Sequence, residues 1–257
     1  MKKIMFGLAA AAAIGAFAIE SANVVGYTTA TSGADNNFIT VPFNVIGYNT
    51  ADIQQIAISD GGAGSIGWGT ETFDIWEGLP TAVAGASFIY YDPSMDVTGE
   101  ATTYYWGDSL GAKAAFSIAP GQAVVVNCAA DLNFTTSGDV AMEQVSFTTV
   151  QDNNFTGNPF PMPIDIQNIA ISDGDAGTIG WGTETFDIWE GLPTAVAGAS
   201  FIYYDPSMDV TGEATSYYWG DALGAKATYS IPANQGVVIN CAADLTISID
   251  PPATSNE

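Results

Sequence analysis

The sequence lacks histidine and arginine, and it contains only four lysines among 257 residues. Without histidine the chain has no imidazole general base, no Ser-His-Asp or Cys-His nucleophile and no His-ligated zinc ion. Without arginine it has no bidentate phosphate clamp. The 28 acidic residues give a formal net charge of −24 at pH 7, and an acidic surface repels nucleic acids. Nucleic-acid binding and histidine-dependent catalysis are therefore excluded, and we expect a protein that is not an enzyme.

Long hydrophobic runs are also scarce, and the clearest one lies at the N-terminus. Lys2 and Lys3 precede an alanine-rich apolar run from Ile4 to Ala18, and Ala16-Phe17-Ala18 has the small-x-small pattern of a signal-peptidase site. A membrane anchor is the alternative, but the run is shorter than the roughly 20 residues of a membrane-spanning helix. We predict a cleaved signal peptide over residues 1–18, a secreted, extracellular or cell-surface location, and no membrane span in the mature chain.

An internal repeat occupies most of the remaining chain. Residues Ile56–Cys128 align without a gap to Ile169–Cys241, and 62 of these 73 positions are identical. A repeat offset of 113 residues is too long for a solenoid and suits a domain-sized unit. The predicted boundaries are a signal peptide over 1–18, copy 1 over 19–143, copy 2 over 144–250 and a C-terminal tail over 251–257.

Both copies carry the patterns of β-strands. Lys113–Ile118 alternates, with its apolar residues on one face, and the valine-rich run Ala123–Cys128 indicates a buried strand. Residues 52–58 fit either a short helix or a strand. Further strands of copy 1 are predicted at 38–45, 72–76, 87–91, 102–106 and 132–136. Many short strands with turns rich in Gly and Asp predict an all-β fold of two tandem, near-identical domains, each a β-sandwich or barrel.

The segment that follows the signal peptide, Glu20-Ser-Ala-Asn-Val-Val-Gly-Tyr27, resembles the start of a large group of uncharacterised secreted proteins from planctomycete- and verrucomicrobium-type bacteria. The segments Asn37-Phe-Ile-Thr-Val-Pro-Phe43, Pro120-Gly-Gln-Ala-Val-Val-Val126 and Phe134-Thr-Thr-Ser-Gly-Asp-Val140 are similar to later parts of the same group. The resemblance covers most of copy 1, and copy 2 without the leading octapeptide. It implies a secreted β-domain that is often repeated, and it brings no established activity and no known site residues.

An acidic loop is the candidate metal site. Asp92, Asp96 and Glu100 lie in one loop of copy 1. Their counterparts in copy 2 are Asp205, Asp209 and Glu213. Carboxylates and loop carbonyls are the ligands that Ca²⁺ prefers. The spacing matches no EF-hand, and the alternative is a set of solvated acids, so calcium is the one cofactor that the sequence suggests.

Every tryptophan occurs twice, once in each copy. With neighbouring tyrosines these residues are candidates for a surface that stacks on sugars or buries a protein partner. The alternative is packing in the core of a small β-domain. Tyr104 and Tyr105 cannot both point inward on a strand, so we expect one of them at the surface. The candidate binding or assembly residues are Trp68, Trp76, Tyr104 and Trp106 in copy 1 and Trp181, Trp189, Tyr217 and Trp219 in copy 2.

Carboxylates lie beside these tryptophans. Glu71, Asp74 and Glu77 lie on or directly beside the strand predicted over 72–76, and a glycosidase needs two such groups about 5–9 Å apart. The alternative is a solvated acidic strand edge. We favour that alternative because two small domains rarely build a sugar cleft.

The two cysteines, Cys128 and Cys241, occupy the same position in the two copies. Two thiols in an exported chain invite a disulfide, which here would join the copies. The alternation around each cysteine places it on a buried face, however. We therefore favour two free, buried thiols that act as small apolar residues.

We expect a non-enzymatic structural protein, secreted or surface-associated, that self-assembles through its repeated β-domains into homo-oligomers or polymers. Two copies in a fixed order favour head-to-tail contacts between molecules. The leading segment Asn23–Thr29 is the expected docking strand. The alternative function is a carbohydrate-binding module, with or without calcium. A structural subunit buries the repeated aromatic residues, whereas a carbohydrate-binding module exposes a row of them.

Overall fold

The computed structural model of the chain describes residues 25–31, 33–45, 48, 50–77, 83–174, 176–190 and 196–252. Within this part of the chain the regular structure is β-strand, apart from four single-turn 3-10 helices. The prediction of an all-β fold is confirmed. The predicted signal peptide and most of the predicted tail lie outside the described residues.

Copy 1 folds into antiparallel sheets. Its strands are β1 (Val25–Thr31), β2 (Asp35–Thr40), β3 (Phe43–Asn44), β4 (Ala51–Asp52), β5 (Ile56–Ser59), β6 (Trp68–Glu77), β7 (Val83–Tyr91), β8 (Tyr105–Gly107), β9 (Ser117–Ile118), β10 (Ala123–Cys128) and β11 (Asn133–Val140). One sheet has the order β2–β10–β6–β7–β8. In a second sheet β11 pairs with β1 along its length and with β3 and β5 on its other edge.

Copy 2 builds a similar arrangement from its own residues, with three strands instead of four in its smaller sheet. Its strands are β12 (Val145–Thr148), β13 (Asp152–Gly157), β14 (Ile164–Asp165), β15 (Ile169–Ser172), β16 (Trp181–Glu190), β17 (Val196–Tyr204), β18 (Tyr218–Gly220), β19 (Ser230–Ile231), β20 (Gly236–Cys241) and β21 (Thr246–Ile249). The larger sheet has the order β13–β20–β16–β17–β18, and the smaller one has the order β12–β21–β15. Each named sheet therefore takes all its strands from one copy.

Each copy has its own hydrophobic core. In copy 1 it includes Phe73 on β6, Trp106 on β8 and the alternate residues Val124 and Val126 on β10. The corresponding residues of copy 2 form a matching cluster. Four consecutive side chains of β10, from Ala123 to Val126, are buried. Val124 and Val126 face the core of copy 1. Ala123, on the opposite face of β10, lies against Gly236 of copy 2.

The two copies contact each other along β2 and β13, the edge strands of the two larger sheets. Isolated antiparallel bridges join Ile39 to Gln235 and Gln122 to Thr156. Between β11 and β12 only residues 141–144 connect the copies. The contact uses equivalent strands from both copies.

The leading strand β1 is paired within its own copy. We expected the segment Asn23–Thr29 to dock on another molecule as a free strand, but β1 pairs residue by residue with β11, from Val25 opposite Asp139 to Thr31 opposite Asn133. Because β1 is an edge strand of its sheet, the docking of this segment on another molecule stays a prediction. The shorter β21 pairs with four residues of β12 in the same way.

Candidate functional site

The predicted aromatic residues divide into an exposed set and a buried set. Trp68 is 58% exposed and Trp181 is 57% exposed, while Tyr104 and Tyr217 are each 39% exposed. Trp106 and Trp219, in contrast, have no exposed surface. The side chains of Trp76 and Trp189 lie outside the described residues. Each copy therefore has one exposed tryptophan and one exposed tyrosine at equivalent positions.

Trp106 and Trp219 must therefore be removed from the predicted binding or assembly surface. The Trp106 indole N–H donates to the backbone oxygen of Ile56 at 2.8 Å, and its ring packs edge-on against Phe73 at a centroid distance of 5.7 Å. Trp219 makes the same contacts with Ile169 and Phe186. A buried indole needs a partner for its N–H, and both tryptophans have one. They are core residues.

The exposed tryptophan follows a loop that an aspartate organises. Asp60 accepts hydrogen bonds from the backbone N–H of Gly62 at 2.9 Å and from the backbone N–H and hydroxyl of Ser65 at 2.6 and 2.9 Å. The hydrogen bond from the Ser65 backbone N–H, followed by the one from its hydroxyl, lowers the pKa of Asp60 to about 2. In copy 2 Asp173 accepts the equivalent bonds from Thr178. The loop is thus held in shape by its own side chains.

Trp68 is fixed to this loop by one hydrogen bond. Its indole N–H donates to the backbone oxygen of Gly64 at 3.3 Å, and the Trp181 indole donates to Gly177 at the same distance. The bond leaves the indole ring largely exposed to solvent. An exposed ring whose orientation is set in advance loses less entropy when it binds a ligand.

Gly67 lets the exposed tyrosine approach the tryptophan loop. Its φ is +83°, and a Cβ atom there would lie 2.6 Å from Cε1 of Tyr104 and 2.7 Å from the backbone nitrogen of Asp92. Any side chain at this position would displace the Tyr104 ring. We define the exposed aromatic site of copy 1 as Trp68, Tyr104 and the loop 60–67, and that of copy 2 as Trp181, Tyr217 and the loop 173–180.

Tyr104 is supported from behind and at its hydroxyl. Its ring stacks on Tyr90 with a centroid distance of 5.8 Å and an interplanar angle of 14°. Tyr90 is buried, and its hydroxyl accepts a hydrogen bond from the Ile58 backbone N–H at 3.2 Å. The Tyr104 hydroxyl bonds to the Asp92 carboxylate; desolvation, followed by the charge of Asp92, raises the pKa of Tyr104. Tyr104 is therefore a preorganised part of the site.

Glu71 supports the site and does not belong to a solvated edge. It is buried, and its carboxylate accepts hydrogen bonds from the Gly67 backbone N–H at 3.1 Å and from the Thr70 hydroxyl at 2.6 Å. Glu184 makes the same bonds in copy 2. This role could not be predicted from the sequence, because strand alternation alone does not show that the carboxylate turns toward the preceding loop. Glu71 lies within a register shift in the pairing of β6 with β7, between Trp68 and Thr72.

The acids of the predicted calcium loop serve as local backbone caps. Asp92 caps the 3-10 helix Pro93–Met95 by accepting from the Ser94 N–H at 2.9 Å. Asp96 accepts from the backbone N–H groups of Thr98, Glu100 and Ala101 at 2.7 to 2.9 Å, which lowers its pKa to about 2. Asp205 and Asp209 repeat these bonds in copy 2. Glu100 and Glu213 are exposed.

The geometry does not gather these acids into a metal site. Among the described residues no group of three or more histidine, cysteine, aspartate or glutamate side chains is placed to hold a metal ion. The oxygen atoms of Asp96 that would bind calcium already accept backbone hydrogen bonds. The calcium prediction therefore gains no support from the arrangement of Asp92, Asp96 and Glu100.

Both cysteines are buried, and they do not form a disulfide with each other. Burial raises the pKa of the Cys241 thiol to about 11. A buried thiol with a raised pKa is a poor nucleophile and a poor metal ligand, because both roles need the thiolate. Neither cysteine contributes chemistry to the exposed aromatic sites.

An exposed apolar group that sequence reasoning missed lies at one end of each copy. Val97 is 68% exposed and Leu110 is 79% exposed, although both belong to loops. A Cβ atom on Gly111 would lie 3.4 Å from Val97, which places the two loops side by side. Val210 and Leu223 form the same pair in copy 2. The sequence could not predict these pairs, because residues in two separate loops form no periodic pattern.

The described residues include no helix with the length and apolar character needed to cross a membrane. Comparison of the chain with models of protein families, with curated proteins and with solved structures found no match in any of the three.

Proposed function

We propose that this protein is a secreted or surface-associated binding protein without enzymatic activity, and that its two exposed aromatic sites bind a neutral carbohydrate polymer. The observation that carries the proposal is the pair of exposed indoles, Trp68 and Trp181, each held by one hydrogen bond in an equivalent local setting. The 37 residues from 66 to 102 are identical to those from 179 to 215, and the loops 60–67 and 173–180 differ at two positions. Two equivalent sites in one chain favour a ligand that is itself a repeat.

The chemistry of the site favours sugars over other flat ligands. An exposed indole offers an apolar face to the apolar face of a sugar ring. Carboxylates and carbonyls around it, including those of Asp60 and Asp92, accept hydrogen bonds from hydroxyl groups. A formal net charge of −24 repels anionic ligands, so the polymer is expected to be uncharged.

Two equivalent sites add avidity. When one site is bound, the second binds at a high effective concentration, and the combined affinity exceeds that of one site by about 10²- to 10⁴-fold. A monomeric sugar gains nothing from the second site. The proposal therefore includes a strong preference for polymers over single sugars.

The test is binding of the purified mature chain to a panel of neutral polysaccharides, measured by co-sedimentation with insoluble polymers and by calorimetry with soluble ones. Trp68→Ala and Trp181→Ala should each lower the apparent affinity for the bound polymer, and the double variant should abolish binding. Tyr27→Ala, which removes an aromatic residue that is 75% exposed outside both sites, is the matched control. If the double variant binds as the unaltered chain does, the sites are not where the polymer binds.

Structural self-assembly is the second candidate, and the exposed Val97–Leu110 and Val210–Leu223 pairs favour it. Such apolar pairs on an acidic surface are possible contacts between molecules. The distinguishing measurement is light scattering at high protein concentration and high ionic strength. Self-assembly predicts salt-dependent growth that Leu110→Ser with Leu223→Ser suppresses, whereas a binding protein stays monomeric and binds polysaccharide.

A further inference from the structure

The contact between the copies has an approximate two-fold symmetry. Phe38 and Phe155 are equivalent in the repeat, because Asn36-Asn37-Phe38 matches Asn153-Asn154-Phe155. Their rings stack on each other with centroids 5.7 Å apart and planes 3° from parallel. A residue meets its own counterpart only close to a two-fold axis. The contact is thus of the kind that normally joins two identical subunits.

The backbone bridges obey the same symmetry. Ile39 bridges to Gln235 and Gln122 bridges to Thr156. In the repeat Ile39 corresponds to Thr156 and Gln122 to Gln235, so exchanging the copies turns one bridge into the other. A Cβ atom on Gly236 would also lie 3.0 Å from Cβ of Ala123, its counterpart in copy 1.

This contact is buried and hydrogen-bonded. The Thr40 hydroxyl donates to the backbone oxygen of Asn158 at 2.9 Å, and the Thr156 hydroxyl donates to the backbone oxygen of Gly121 at 2.7 Å. Thr40, Thr156 and Asn158 are all buried. Buried polar groups with partners fix the relative position of the two copies, because a displaced copy would leave them unpaired.

Among the positions at which the symmetry is broken are two equivalent turn residues, Gly121 and Asn234. Both have left-handed backbones, with φ of +73° and +64°. The Asn234 side-chain oxygen accepts hydrogen bonds from the Thr28 hydroxyl at 2.9 Å and the Thr136 hydroxyl at 3.1 Å, which belong to copy 1. Gly121 faces Phe147 of copy 2, and a Cβ atom on it would lie 3.1 Å from that ring.

We propose that this interface is a recognition surface for a second copy of the chain, and that it pairs copy 1 only with copy 2. In a pair of two copy 2 units, Asn234 of one unit would lie against Phe147 of the other. It would also lie against Ile249, which is the counterpart of Thr136 in copy 1. The amide would lose its hydrogen bonds and lack space. A pair of two copy 1 units would place Gly121 opposite the Thr28 and Thr136 hydroxyls, which would lose the amide partner.

In the intact chain the four residues 141–144 keep the copies at a high effective concentration, so each copy 1 pairs with its own copy 2. Once that connection is cut, either half accepts the opposite half of another molecule. In the cut protein the partner of the surface is therefore the opposite copy of either chain. A cut or shortened connection converts internal pairing into pairing between chains.

The test uses the full chain with a protease site inserted between Met142 and Glu143, which are outside the strands. One preparation is labelled with ¹⁵N and one is not. Both are cut, mixed at micromolar concentration and examined by native mass spectrometry. The expected species are complexes of one copy 1 half with one copy 2 half, including mixed-label complexes. Separate halves, or complexes of two like halves, would overturn the proposal.

Three variants sharpen the result, each checked for folding by circular dichroism before cutting. Gly236→Leu should make the cut halves separate, because its side chain would press on Ala123 and Phe38. Gly33→Leu is the control, since a Cβ there meets nothing within 4 Å, and its halves should stay together. Asn234→Gly should permit complexes of two copy 2 halves. If folded Asn234→Gly protein forms none, Asn234 does not set the specificity.

Discussion

The side chain of Gln54 binds both backbone polar groups of Trp106. Its amide oxygen accepts from the Trp106 N–H at 3.1 Å, and its amide nitrogen donates to the Trp106 carbonyl at 2.8 Å. The same nitrogen donates to the Ala114 carbonyl at 2.7 Å. Gln54 thus takes the place of a neighbouring strand next to β8. Gln167 makes the same three bonds in copy 2.

Gln54→Ala should destabilise the fold by about 1–3 kcal/mol, because the partly buried Trp106 N–H and Ala114 carbonyl lose the hydrogen bonds that Gln54 supplies. Urea unfolding followed by circular dichroism measures the change. Gln144→Ala, which removes an exposed side-chain hydrogen bond to Asp250, is the control and should change the free energy of unfolding by less than about 0.5 kcal/mol. Equal effects of the two substitutions would contradict the role of Gln54.

Truncation of Trp106 should lower the free energy of unfolding far more than truncation of Trp68. Trp106→Ala removes a fully buried ring and its hydrogen bond, and a loss of about 3–5 kcal/mol is expected. Trp68→Ala removes an exposed ring, and stability should change by about 0.5 kcal/mol or less. The measurement is again the free energy of unfolding. A large loss from Trp68→Ala would show that this residue packs more tightly than its exposure indicates.

Stability should fall in strong acid because of two aspartates in copy 1. Hydrogen bonds lower the pKa of Asp60 and Asp96 to about 2 from an ordinary value of 3.8. A folded-state pKa below the unfolded value stabilises the fold above about pH 4, and this contribution is lost as the pH falls through 2. Thermal melts between pH 5 and 2 should therefore decline less steeply for Asp60→Asn with Asp96→Asn. Glu143→Gln, in the connection between the copies, should leave the slope unchanged.

Calcium should not stabilise the protein specifically. Asp92 and Asp96 already serve as backbone hydrogen-bond acceptors, and no cluster of acids suited to a metal occurs among the described residues. Millimolar Ca²⁺ should shift the melting temperature no more than Na⁺ of equal ionic strength, since only a ligand that binds the folded state adds stability. A larger shift with Ca²⁺ would restore the calcium site predicted from the sequence.

Cys128 and Cys241 should be inert in the folded protein. Both are buried, and burial raises the pKa of Cys241 to about 11, so the reactive thiolate is scarce near neutral pH. Native protein should take up no alkylating reagent at pH 8, whereas unfolded protein should take up two equivalents. Identical electrophoretic mobility with and without reductant is also expected. A peptide that links the two cysteines would contradict this.

Much of the local structure could be predicted from the sequence. The predicted alternation of burial in Lys113–Ile118 is present, since Ala114, Phe116 and Ile118 are more buried than the residues between them. The valine-rich run became the central strand β10. Of Tyr104 and Tyr105, one faces outward and one is buried, as strand alternation required. These features depend on neighbours a few residues away.

The features that could not be predicted depend on distant partners. Trp68 and Trp106 have similar glycine-rich surroundings, yet Trp106 is buried and donates to Ile56, fifty positions earlier in the chain, whereas Trp68 is exposed and donates to Gly64, four positions earlier. The stacking of Phe38 on Phe155 joins residues from different copies. One signal was present in the sequence: among the few differences between the copies, adjacent ones fall at the turns that contain Gly121 and Asn234.

The contact between the copies at β2 and β13 also bears on how the protein avoids aggregation. An edge strand with free backbone groups invites pairing with other chains, and many proteins block it with lysine. This chain has only two lysines after residue 18, Lys113 and Lys226, and both lie beside the opposite edge strands, β8 and β18, rather than on β2 or β13. Each copy instead shields the edge of the other. Duplication thus provides the edge protection that lysines provide in other proteins. A single copy on its own would expose an edge strand that carries Phe38 or Phe155.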